Sequence, residues 1–157
     1  MKILFLDHDG VICLARDRID DFNAKAIVIL NEIIDATDCE IVVSSDWRHY
    51  YNLSDMRKLY VEQGVKKVPI GFTPYIVSTV EAEGRNPEVP TLEEGRIKEI
   101  QQWLRTHDFN KKLSWCAVDD MDLSALGPNF IRTPRINEGI KQTGIKEKII
   151  SVLMLSS

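Results

Sequence analysis

Two aspartates one residue apart, Asp7 and Asp9, close the apolar run ILFL of residues 3–6, and Gly10 follows directly. Carboxylates crowded into one small space repel each other, and they persist where a hard cation sits between them or where one keeps its proton. Magnesium is the natural cation, because it takes oxygen ligands and is usually held by one or two carboxylates together with water and a substrate phosphate. A carboxylate can also attack phosphorus and form an acyl phosphate. The Asp7-His8-Asp9 alternation suits a division of labour in which one acid attacks and the other protonates the leaving oxygen. Gly10 lets the chain turn away sharply and come close to a ligand.

Other groups of matching chemistry lie far along the chain. Ser44, Ser45 and Arg48 follow a second apolar run, and Asp119, Asp120 and Asp122 follow a third. A phosphoryl group in transit spreads negative charge over its equatorial oxygens and needs donors around it. Ser44 or Ser45 supplies a hydroxyl. Arg96 supplies a cation at the start of a helix, where the helix dipole already favours an anion. Arg48 either binds substrate phosphate or pairs with a surface acid. Ordinary helix pairing with Glu93, Glu94 and Glu99 is the competing role for Arg96 and Lys98. His8 points away from its flanking acids if the segment is extended, and reads as a packing residue. Trp47, Trp103 and Trp115 read as core.

These groups meet only if the intervening elements bring them together. Residues 2–6 and 40–44 read as short buried strands, 114–118 as another, 66–71 as a short one, and Phe130-Ile131 as a brief last one. Helical spacing of apolar residues predicts helices over 20–36, with Phe22, Ala26, Leu30, Ile33 and Ile34 inward, and over 54–64, capped by Ser54. A third helix follows Thr91 and Glu94, which have capping-box spacing, and carries Ile97, Ile100, Trp103 and Leu104. A last helix fills much of 141–155. Residues 72–92 have three prolines and no period, and read as loop. Strands alternating with helices predict an α/β fold, a three-layer α/β/α sandwich around a mostly parallel, Rossmann-like sheet. Ligands of such sheets sit beyond the carboxyl ends of the strands, where Asp7, Ser44 and Asp119 all fall.

Composition sets the bounds. The chain has 157 residues, 44% apolar and 28% charged, with a formal charge of −4. That length suits one domain over residues 1–157 with its own core. The negative charge gives no bulk attraction for a polyanion, so a nucleic-acid substrate would need a local basic patch. Cys13, Cys39 and Cys116 form neither a zinc pattern nor a disulfide framework, and read as buried thiols of a cytoplasmic protein. No signal peptide or membrane-spanning run is recognisable.

The motifs together resemble the haloacid dehalogenase (HAD) superfamily of phosphatases. FLDHDGVI resembles its first motif, and IVVSSDWR the second, a strand ending in Ser or Thr. EEGRIKEIQQWL resembles the third, a helix with a basic residue near its start. WCAVDDMDL resembles the fourth, a strand ending in paired acids. IVVSSDWR, IGFTP and RTPRINEGI are more narrowly similar to a subgroup of small HAD domains related to the one in Swiss-army-knife RNA-repair proteins. The four motifs run in order from residue 3 to 122.

The resemblance implies a magnesium-dependent phosphomonoesterase working through an aspartyl-phosphate. Asp7 would be nucleophile and metal ligand. Asp9 would be general acid and base, lending its backbone carbonyl to the metal. Ser45 best matches the second-motif hydroxyl, with Ser44 next. Arg96 best matches the third-motif base, with Lys98 next. Asp119 and Asp120 would be metal ligands, while Asp122 departs from the usual spacing. Gly10, Arg48 and Lys98 would contact substrate. The spacing leaves no room for a helical cap after the first motif, so the site is expected to be capless or nearly so. An open site admits small phosphate esters, nucleic-acid ends or phosphoproteins. Alternatives are a metal- or phosphate-binding regulatory module without turnover, and a nucleic-acid end-processing phosphatase.

Overall fold

A computed structural model of the chain describes residues 1–18, 21–76, 84, 86–107 and 112–155. Five strands, β1 (Lys2–Leu6), β2 (Glu40–Val43), β3 (Gly71–Phe72), β4 (Ser114–Asp119) and β5 (Phe130–Arg132), form one sheet in the order β3-β2-β1-β4-β5. Every pairing in it is parallel. The helices are α1 (Ala24–Thr37), α2 (Leu53–Glu62), α3 (Leu92–His107) and α4 (Ile145–Met154), joined by 3-10 turns at Asp46–His49, Ser124–Asn129 and Gly139–Lys141.

Both faces of the sheet are covered, which is why its strands are nearly continuous apolar runs rather than alternating ones. Leu4, Leu6, Ile41, Val43, Cys116 and Val118 pack with residues of α1, α2 and α4. Ile3, Phe5, Val42 and Ala117 point the other way, onto Ile100 and Trp103 of α3. Phe5 meets the Trp103 ring edge-on at 5.3 Å between centroids. Each fully buried Leu, Ile, Val or Phe among them contributes roughly 1.5–3 kcal/mol by leaving water. The result is the three-layer α/β/α sandwich that the sequence predicts, with three helices on one side and α3 on the other.

Several boundaries differ from the sequence expectation for local reasons. The first helix begins at Ala24 because Asn23 caps it, its side chain accepting the Lys25 and Ala26 N–H groups. Phe22 is buried but precedes the helix, and the expected helix start at residue 20 lies outside the described residues. Asn52, not Ser54, caps α2, accepting the Asp55 N–H. β3 is two residues long and starts at Gly71, five residues after the expected start. Thr91 caps α3 through the Glu94 N–H at 3.2 Å. Residues 77–83 and 85 of the expected loop lie outside the described residues. Between β1 and β2 the described residues hold one helix and no inserted helical domain.

No helix among the described residues is long and apolar enough to cross a membrane. The three cysteines are buried and form no disulfide.

Candidate active site

Strand register assembles the site. Leu6 is paired with Val43 on one side and Val118 on the other, so the next residues, Asp7, Ser44 and Asp119, leave the sheet side by side. The pairing continues past the strand ends: the Asp7 N–H donates to Val118 O at 3.1 Å and the Ser44 N–H to Leu6 O at 2.9 Å. Because side chains alternate along a strand, Asp7, Ser44 and Asp119 turn toward the α3 side, as Phe5, Val42 and Ala117 do.

Asp7, Asp119 and Asp120 each offer a carboxylate oxygen within 4.8 Å of the others. Asp7 and Asp119 are buried, and Asp120 is half-buried. Arg96, in the first turns of α3, reaches into this group. Its Nη1 lies 3.3 Å from Asp7 Oδ1 and 3.0 Å from Asp119 Oδ2, and its Nη2 lies 3.0 Å from Asp46 Oδ1. The His8 backbone N–H donates to Asp7 Oδ1 at 2.9 Å, and the Met121 N–H to Asp119 Oδ1 at 2.9 Å.

The electrostatics follow from burial and crowding. Loss of water raises the Asp7 carboxyl well above its ordinary range, the Asp119 charge adds to this, and Arg96 opposes it. Burial raises Asp119 likewise, again against Arg96. Burial pulls the Arg96 guanidinium down, but Asp7, Asp119 and Asp46 outweigh it and hold the group protonated. One cation therefore faces more carboxylates than it can neutralise.

That imbalance, on hard oxygen donors, fits a small divalent cation such as magnesium. Among the described residues, Asp7, Asp119 and Asp120 are the side chains able to hold it. Gly10 belongs to the same cradle. Its φ is +77°, and a Cβ there would stand 2.6 Å from Asp120 Oδ2. Any side chain at this position would press on the acid, and an L-residue resists that backbone conformation. Thr133, fully buried just past β5, donates its hydroxyl to the Gly10 carbonyl at 2.9 Å and fixes the turn.

Asp9 is exposed at the floor of an open cleft of about 980 Å³, beside Gly10 and Asp120. The Trp47 indole N–H donates to both Asp9 oxygens at 3.1 Å and sets the carboxylate's orientation. Partial burial raises the Asp9 carboxyl above its ordinary value, the Trp47 bond opposes this, and Asp120 and Asp46 add to it.

The two serines have different partners. Ser45 Oγ accepts the Trp47 N–H at 3.3 Å, so it caps the 3-10 turn. Ser44 Oγ is buried with no hydrogen-bond partner among the described residues. Of the two basic candidates on α3, Arg96 is buried against the acids and Lys98 is exposed.

Arg48, expected either at the substrate phosphate or paired with a surface acid, is turned inward onto a buried acid. Its guanidinium donates to the carbonyls of Ser45, Thr73 and Pro74 and pairs with the buried Glu99 at 3.0 Å. Asp122 is exposed and accepts the Ser124 N–H, apart from the acid cluster. His8 is a packing residue, as its alternation suggests. It is fully buried beside Phe22, Trp47 and Tyr60, hydrogen-bonded through Nε2 to the Tyr60 hydroxyl at 2.7 Å, and pushed down to about 3 by burial.

Sequence reasoning did not find four contributors: Asp46, Glu99, Thr133 and the indole donor of Trp47. Only Asp46 and Trp47 carried a signal, since both sit in the turn directly after the second strand.

The family model described as the HAD domain in Swiss Army Knife RNA repair proteins matches residues 3–144. Searches of curated proteins and of solved structures return no match.

Proposed function

The chain belongs to the HAD domain family of Swiss Army Knife RNA repair proteins and is thus a HAD-type hydrolase; from this premise we propose that it hydrolyses phosphomonoesters through an aspartyl-phosphate on Asp7, with magnesium as its cofactor. The observation that carries this reading is the meeting of Asp7, Asp119 and Asp120 around one spot, with Arg96 among them.

A carboxylate oxygen of Asp7 attacks phosphorus in line with the ester oxygen. The new O–P bond forms as the bond to the leaving oxygen breaks, and Asp9 delivers its proton to that oxygen. The raised Asp9 carboxyl keeps a proton nearer to neutrality than an ordinary aspartic acid does. Trp47 keeps it aimed at the cleft. In the second half, Asp9 takes a proton from water as the water oxygen attacks phosphorus. The bond to Asp7 breaks, and inorganic phosphate leaves.

Arg96 offers charge-assisted donors beside Asp7, where negative charge accumulates. Ser44, whose hydroxyl has no partner among the described residues, is the better donor to a phosphate oxygen, and Ser45 holds the turn that carries Asp46 and Trp47. Magnesium bound by Asp7, Asp119 and Asp120, with the Asp9 carbonyl, would neutralise phosphate charge and offset the carboxylates' repulsion.

The test is turnover of a generic aryl phosphate with and without magnesium, for wild type and Asp7→Asn. The expected result is magnesium-dependent hydrolysis that the substitution removes while the circular dichroism spectrum stays unchanged. Hydrolysis by Asp7→Asn at the wild-type rate would refute the assignment.

A further inference from the structure

The cleft above Asp9 and Asp120 is larger than a phosphate group requires. Its volume of about 980 Å³ lies near the top of the range, roughly 300–1,000 Å³, of pockets that enclose whole small molecules. Its walls are of two kinds. One is aromatic. Trp47 and Tyr51 stack at 6.0 Å with 21° between their planes, and Tyr50 follows the same turn. Tyr50 is 81% exposed, a large ring left in water at the edge of the candidate active site. The other wall is apolar, formed by Leu14 and Ile136. The Ala15 N–H donates to Ile136 O at 3.2 Å and joins the two segments, and Ile136 is 52% exposed.

Positive charge is scarce in this space. Among the described residues that line it, Arg18 is the sole lysine or arginine. A nucleic-acid backbone is tracked by a row of cations. A single planar ring needs aromatic and apolar faces, which this cleft has.

We propose that the cleft is a leaving-group subsite for a planar aromatic ring, seated against Tyr50 and Ile136. Preferred substrates are then small phosphomonoesters carrying such a ring close to the phosphate, as in a nucleoside monophosphate. This rests on the phosphatase reading above and adds the substrate class.

The test compares kcat/KM for a nucleoside 5′-monophosphate, ribose 5-phosphate and a short 5′-phosphorylated oligonucleotide, with magnesium present. The mononucleotide should exceed ribose 5-phosphate by about tenfold or more, as base–aromatic stacking allows. Tyr50→Ala should bring that ratio close to one, and Tyr50→Phe should preserve it. The oligonucleotide should gain nothing over the mononucleotide. Calorimetric binding of the first two ligands to Asp7→Asn protein should give the same order without any turnover. Equal values for mononucleotide and ribose 5-phosphate overturn the subsite, as does a ratio that Tyr50→Ala leaves unchanged. A tenfold preference for the oligonucleotide also overturns it and assigns the cleft to a polymer. Hydrolysis that survives Asp7→Asn removes instead the phosphatase reading beneath it, and would be seen with every substrate.

Discussion

Helix α3 carries two buried charges three residues apart, Arg96 and Glu99, and each heads a network of a different kind. Glu99 meets one cation, Arg48, at 3.0 Å, and its second oxygen accepts the Ile76 N–H at 2.9 Å. Arg48 in turn donates to the carbonyls of Ser45, Thr73 and Pro74. Charge and hydrogen bonds close on themselves there. Arg96 instead faces Asp7, Asp119 and Asp46, with Asp120 beside them. The difference separates a brace from a candidate reactive site. A balanced buried pair needs nothing more, whereas a surplus of buried carboxylate calls for a proton or a cation. Burial of charge alone would mark both networks as candidate sites, and the imbalance singles out one.

The comparison can be broken most forcefully at the nucleophile. Asp7→Asn should cut turnover of an aryl phosphate by at least about a thousandfold. It should not lower the melting temperature of the metal-free protein, because it removes one of the mutually repelling acids. Arg96→Met should cost about a hundredfold in kcat/KM through the lost donor. It should also destabilise the metal-free fold, leaving three acids without their cation. Lys98→Ala should stay within about twofold. In the brace the order reverses. Glu99→Ala leaves Arg48 buried without its counter-charge and should cost roughly 3–5 kcal/mol of stability in a denaturant titration.

Acidity sharpens the same contrast. Asp7 and Asp119 have folded-state values raised above those of the unfolded chain, by burial first. Between the ordinary carboxylate value and the raised one, the native state binds more protons than the unfolded state. Stability of the metal-free protein from this source is therefore present below that window and lost as pH rises through it. His8 acts oppositely. Its folded value, about 3, lies below the unfolded one of 6.5, so its contribution is present above 6.5 and lost as pH falls toward 3. Melting curves of wild type and Asp7→Asn across this range isolate the carboxylate contribution, which should shrink in the variant and in the presence of magnesium.

Much of this was legible along the chain. The first strand and its acids and the parallel sandwich follow from local patterns, the meeting of Asp7 with Asp119 and Asp120 follows once their strands are taken as parallel neighbours, and the preference for Arg96 over Lys98 rests on the family resemblance. An apolar run ending in acids needs no partner to be recognised, whereas the burial of Arg96 and the exposure of Lys98 are seen only in the fold. The brace was not legible. Glu99 lies among Glu93, Glu94 and Lys98, and only packing against Arg48 reveals that it is buried. Arg48 stays open between a phosphate ligand and an ion pair in the sequence, because its place after the second strand is the same whether it turns toward the cleft or inward. Ser44 and Ser45 differ by one residue, and strand register together with the cap on Trp47 distinguishes them. The late start of β3 follows from pairing with β2 through Val42 and Val43 alone.

The serines give the smallest expected effects. Ser44→Ala should lower kcat/KM about tenfold with little change in stability. Ser45→Ala should cost about 1 kcal/mol of stability, the usual worth of a helix cap, and less activity. The reverse pattern would reassign the hydroxyl donor to Ser45.

The most direct measurement is to quench the protein in acid during turnover of an aryl phosphate, trap the acyl phosphate by borohydride reduction, and map the modified residue by mass spectrometry. The expected label is on Asp7, formed with magnesium present and missing from Asp7→Asn. Sustained turnover with label on another residue, or with none at all, would contradict nucleophilic attack by Asp7.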